Sequence, residues 1–130
     1  MNLKINELRK NSEKAACYFM NCLAYTLVPV ELKNMMEQEK AVVVDVRAHE
    51  DYITSHIPGA VSIPKAELAD RLQELSKDKI TVVYCYNQQC HLGASACLIL
   101  ADYEYPCMLM EGGFDVWVNN FRFATVSGEN

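Results

Sequence analysis

Two cysteines five positions apart, Cys85 and Cys90, bracket a short polar stretch in TVVYCYNQQCHLGASACLIL (residues 81–100). A β-branched run ends at Tyr84, and an Ala/Leu-rich run begins after His91. That pattern reads as a strand, a tight loop and a helix. A loop over the start of a helix faces unpaired N–H groups and the positive end of the helix dipole. A thiolate placed there is stabilised, so Cys85 is expected to titrate below the free thiol value of about 8.5 and to act as a nucleophile. The same N–H groups, along Tyr86, Asn87, Gln88, Gln89, Cys90 and His91, would hold an anion or a persulfide carried on Cys85. The competing reading is a structural cysteine buried at a strand end. The polarity of YNQQ favours an exposed loop instead.

The elements that must position this loop follow from periodicity. Ser12 is expected to cap a helix over Glu13–Leu23, where Ala15, Ala16, Phe19 and Leu23 recur at helical spacing. Residues 25–28 are β-prone, and Pro29 suits the first turn of a helix running to about Gln38. AVVVDV (41–46) and ITVVY (80–84) are short β-branched runs of the kind found in buried strands. Between them come a short helix over 49–55, a turn at HIPGA (56–60) and a short strand at 61–63. A helical segment opened by Pro64 then carries Leu68, Leu72 and Leu75 on one face. After the loop come a helix over 91–102, a strand at 107–110 and a closing helix from Gly112-Gly113 through Trp117. Strands alternating with helices predict an α/β fold with a parallel sheet covered on both faces. In such sheets ligands bind at the carboxyl ends of strands, where Cys85 lies.

Composition narrows the classes. The 130 residues suit a single domain, and a net charge of −5 argues against a nucleic-acid partner, which would call for a basic stripe. Six cysteines are fewer than a disulfide scaffold needs, and no zinc-type pair is present, so no metal and no cofactor are expected. Cys17 and Cys22 would sit about 140° apart around a helix and share no face. The apolar run after Lys14 faintly resembles a signal peptide, but Asn21 interrupts it and no small-residue cleavage site follows. No stretch of about 20 apolar residues exists, so no membrane association is expected. A reducing cytoplasm, where thiols stay free, is the expected setting.

Three segments together carry a family resemblance. DVRAHEDYITSHIPGAVSIP (45–64), VVYC (82–85) with its six-residue loop, and EGGFDVW (111–117) resemble the signatures of rhodanese domains over roughly residues 25–120. The resemblance implies a three-layer α/β fold with a central parallel sheet, spanning residues 25–125, behind a helical extension at 1–24. It implies a sulfurtransferase whose Cys85 carries sulfane sulfur from a donor, a persulfide or thiosulfate, to a thiol acceptor. Asp45 and Arg47 would form the family's internal ion pair and anchor the structure near the site. A six-residue loop without a terminal Arg also disfavours the related phosphatases, which need that Arg for bidentate phosphate binding.

The departures from the family pattern are informative. The loop CYNQQC has neither Gly nor a cation, so thiosulfate, a dianion, is expected to be used weakly. Ser55 stands where a Gly is usual. Cys90 stands where the family often has Arg. It is either a resolving thiol that forms a disulfide with Cys85 or a small residue turned inward at the helix start. His91 is expected to be solvated, with stabilisation of the Cys85 thiolate as the alternative. His56 is expected to satisfy backbone groups in its turn, and Phe114, Trp117, Cys97 and Cys107 to pack in or around the core. Beside the sulfurtransferase reading stand a thiol redox protein cycling a Cys85–Cys90 disulfide and a non-catalytic interaction module. A homodimer through the N-terminal helix, which carries Tyr18, Phe19 and Leu23, is a further expectation.

Overall fold

The computed structural model describes residues 3–129. Two helices form an N-terminal arm: α1 (Leu3–Arg9) and α2 (Ser12–Tyr25). The rest alternates strands and helices: β1 (Thr26–Leu27), α3 (Pro29–Glu37), β2 (Ala41–Asp45), α4 (His49–Thr54) and β3 (Val61–Ser62). Two 3-10 segments follow, Lys65–Asp70 and Leu72–Glu74, then β4 (Ile80–Tyr84), α5 (Leu92–Asp102) and β5 (Cys107–Met110). The last element is α6 (Gly113–Asp115), which widens into a π turn over Val116–Asn120. The five strands form one sheet in the order β1-β5-β4-β2-β3, every pairing parallel.

Alternation along the central strands builds two cores. Val43, Val82 and Tyr84 face one way and pack with Leu32, Tyr52, Ile57 and Trp117. Val44, Val83 and Cys85 face the other way and pack with Ile63, Leu68, Ala96 and Leu100. A parallel sheet buried on both faces needs this near-continuous apolar run, which AVVVDV and ITVVY supply. The three-layer α/β arrangement expected from the sequence is the one observed.

Several local expectations need correction. Asn11, not Ser12, caps α2: its side-chain oxygen accepts from the Lys14 N–H at 3.0 Å, and Ser12 is already helical. The helix α1 had no signal of its own. The Pro64 segment winds as 3-10 turns, although Leu68 and Leu75 are buried as the spacing predicted. Cys97 and Cys107, by contrast, pack half-buried against the second core as expected, with the Cys107 thiol donating to the Cys97 carbonyl at 3.5 Å. Among the described residues no helix is long and apolar enough to cross a membrane.

Candidate active site

Cys85 follows β4 directly and is buried at 3% exposure. Its position is fixed from two sides, by α5 and α6. From α5, Gly93 comes so close that a Cβ there would lie 3.4 Å from Cys85 Sγ and 2.5 Å from a Leu109 methyl. From α6, the Phe114 N–H donates to the Cys85 carbonyl at 2.8 Å and the Asp115 N–H to the Tyr86 carbonyl at 3.0 Å. Gly113 makes this approach feasible. It adopts φ +63°, and a Cβ would lie 2.7 Å from the Asn87 nitrogen and 2.8 Å from the Cys85 oxygen.

The loop itself is closed by local bonds. The Cys90 N–H donates to the Asn87 carbonyl at 3.1 Å, and the Gln89 N–H to Asn87 Oδ1 at 3.1 Å, an Asx turn. Tyr86 ties the loop to α4: its hydroxyl donates to Asp51 and accepts from the Ala48 N–H at 3.2 Å. Gln88 reaches across to the opposite wall, where its Oε1 accepts from the Gly112 N–H at 2.7 Å. Gln89 and His91 are exposed, and His91 occupies the N-cap position of α5 without a side-chain cap. A cavity of about 40 Å³ remains over the sulfur, lined by Cys85, Asn87, Gln88, Cys90, Glu111 and Gly112 among others.

The two thiols act on one another. The Cys85 thiol donates to the Cys90 carbonyl at 3.6 Å and lies 3.9 Å from the Asn87 carbonyl. Burial, and then the neighbouring Cys90 sulfur, push the Cys85 thiol above the ordinary thiol range, against the N–H groups of Gly93 and Asn87. This overturns the expectation of a lowered Cys85 value: desolvation in the second core outweighs the helix start. For Cys90 burial also works upward. The N–H of Leu92, the Cys85 thiol and the N–H of Tyr86 overcome it and bring Cys90 below the usual range. Of the two thiols Cys90 is therefore the more acidic and Cys85 the less.

Beneath the site, Asp45 and Arg47 are both buried and form a forked ion pair. Arg47 Nε lies 3.1 Å from each carboxylate oxygen, and Nη2 lies 2.8 Å from Oδ2. The guanidinium also donates to the Ser55 carbonyl at 2.6 Å and lies over the Phe114 ring at 4.1 Å. Tyr84 joins the same group, its hydroxyl accepting from the Ile57 N–H at 3.1 Å. The pair thus links the ends of β2 and β4, the HIPGA turn and α6. His56 is engaged with backbone, its Nδ1 2.7 Å from the Tyr52 carbonyl, and it stacks on the Tyr52 ring. Among the described residues no group of three or more metal-ligating side chains comes together.

Comparison with known proteins agrees with this geometry. A family model for the rhodanese-like domain matches residues 28–120. The chain belongs to the rhodanese-like domain family. A thiosulfate sulfurtransferase GlpE from Pseudomonas syringae is 31% identical over 101 residues, covering 78% of this chain and 94% of that one. An HTH-type transcriptional regulator, Rv0324, from Mycobacterium tuberculosis is 41% identical over 87 residues. Those residues are 67% of this chain, which spans only 38% of the regulator's length. Among solved structures, the BH2092 protein of Bacillus halodurans superposes with a TM-score of 0.83 at 28% identity, over 90% of this chain and 87% of that one. The chain is thus a rhodanese-like member of a sulfurtransferase family.

Residues that sequence reasoning passed over complete the site. Gly93, Gly113, Asp51 and Glu111 each touch the loop or line its cavity. A glycine second in an Ala/Leu helix was a readable sign of close approach. Asp51 and Glu111 carried no such sign.

Proposed function

We propose that this chain moves sulfane sulfur through a persulfide on Cys85. The observation that carries the proposal is the setting of Cys85 Sγ at a strand–helix junction, with Gly93 of α5 pressed close against the sulfur. Cys85 loses its proton to solvent and attacks the outer sulfur of a donor persulfide. The donor's S–S bond breaks, the donor leaves as a thiolate, and Cys85 carries the new S–SH group. The loop N–H groups then hold the terminal sulfur. An acceptor thiolate attacks that sulfur, a new persulfide leaves, and Cys85 is regenerated.

Weak use of thiosulfate fits the same geometry. Residues 85–91 contribute no Lys or Arg, and the Glu111 carboxylate lines the cavity. Gln88 occupies the Gly112 N–H that an anionic donor would otherwise use. A dianion therefore meets one negative side chain, a second ionisable sulfur and little free volume. A persulfide of a small thiol or of a protein presents less charge at the reacting sulfur.

Mass spectrometry after incubation with glutathione persulfide tests the assignment. The wild-type chain should gain one sulfur on the Cys85 peptide, and Cys85→Ser should gain none. An adduct that persists in Cys85→Ser sinks the proposal.

The closeness of Cys90, whose carbonyl accepts from the Cys85 thiol at 3.6 Å, favours one second reading, discharge by Cys90. Its thiolate attacks the inner sulfur of Cys85–S–SH, hydrosulfide leaves, and a Cys85–Cys90 disulfide remains for an external thiol to reduce. Hydrosulfide release from the loaded protein, lost in Cys90→Ser, would support it. Release unaffected by that change excludes it.

A further inference from the structure

The arm α1–α2 stands apart from the rest of the molecule. Among the described residues, no side chain of either helix is buried. Yet α2 is apolar around most of its circumference, through Ala15, Tyr18, Phe19, Met20 and Leu23. Leu23 is 80% exposed and Leu3 78%. A helix apolar all round belongs in an interior, and one of 14 residues is marginal in water without packing. The arm meets the body chiefly at its C-terminal end, through β1 and β5. Beside that end an apolar groove of about 460 Å³ runs from Tyr25 to the outer face of α5, where Ala94, Leu98 and Ala101 lie.

What covers these surfaces is indicated by area and charge. The eight large exposed apolar side chains between Leu3 and Tyr25 would bury roughly 900 Å², against about 800 Å² per partner in a stable complex. Lys4, Arg9, Lys10 and Lys14 against Glu7 and Glu13 give residues 1–25 an excess of two positive charges. The chain carries −5, so the remaining residues hold an excess of seven negative charges. Arm against arm is repulsive, whereas arm against body is attractive. A bilayer with anionic headgroups would repel the body. The overlap with the B. halodurans protein, at 90% of the chain, exceeds what residues 28–130 could supply, so it reaches into the arm.

We infer that two copies of this chain associate reciprocally, the α1–α2 arm of each lying across the Tyr25–α5 groove of the other. The contact is two-fold and closes on itself, as the commonest homodimers do. It covers the outer face of the helix whose first turn presses on Cys85.

Light scattering on the full chain at about 100 μM, where an interface of this size is saturated, should give twice the 14.7 kDa chain mass. Phe19→Glu with Leu23→Glu removes the arm's contribution, and Leu98→Glu blocks the groove. Each variant should be monomeric with unchanged far-UV circular dichroism. Mixing the two monomeric variants should restore a dimer, because one intact arm then meets one intact groove, a result misfolding cannot imitate. A monomeric wild type, a Leu98→Glu dimer, or variants that fail to complement each overturn the inference. So does a wild type that is monomeric in solution and pellets with phosphatidylglycerol vesicles.

Discussion

Cys90 places a second ionisable sulfur beside Cys85, and after burial it is the next influence on the Cys85 thiol. Its contact and its charge both hold the Cys85 thiol up. Cys90→Ser removes the neighbouring ionisable sulfur, so the pH profile of Cys85 alkylation by iodoacetamide should move to lower pH and the rate at pH 7 should rise. A profile that stays put or moves upward shows that Cys90 does not act on Cys85. Gln88 is the second residue with a separable effect. Gln88→Ala frees the Gly112 N–H, so kcat/KM for thiosulfate should rise roughly 2- to 10-fold, the range one displaced hydrogen bond supplies, and mainly through KM. An equal change for glutathione persulfide would mean that the side chain controls access rather than recognition. The sequence made the place of Cys85 legible, because a β-branched run, a polar loop and an Ala/Leu run mark a strand–helix junction. It did not make its acidity legible. The sign depends on how deeply the sulfur sinks into the second core, and that depth is set by Gly93, Leu109 and the neighbouring helix.

At the scale of elements, the loop is held in shape by the start of α6 more than by its own bonds. Gly113→Ala would force a side chain into the backbone of residues 85–87 at a positive φ. The strain of such a position is of order 1–3 kcal/mol, and relief requires the loop to move away from α6. Sulfur transfer should therefore fall at least tenfold while the thermal midpoint drops by roughly 10 °C or less. Wild-type turnover in that variant would separate α6 from the loop's function. Most elements were readable because their periods are clean. β4 and β5 fall on the residues predicted, and β2 ends one residue earlier than AVVVDV suggested. The Pro64 segment was not readable as 3-10, since Leu68, Leu72 and Leu75 suit either winding and packing against α5 decides between them. α1 had no signal because Leu3, Ile5 and Leu8 are too few and too spread around the helix to mark one face.

For the molecule as a whole, the buried Asp45–Arg47 pair joins parts of the chain far apart in sequence. Arg47→Met leaves the Asp45 carboxylate buried without its partner, a change that costs about 3–5 kcal/mol. Equilibrium urea unfolding should show the loss as a lower midpoint with an unchanged slope. A loss below about 1 kcal/mol would mean that solvent reaches the pair. The fold has one more consequence for its behaviour in a crowded solution. Its outermost strands, β1 and β3, are two residues long each. Each margin therefore offers a second chain only short, broken runs of N–H and C=O groups to pair with. Such margins disfavour growth of this molecule into fibrils by strand addition, and favour assembly through side chains.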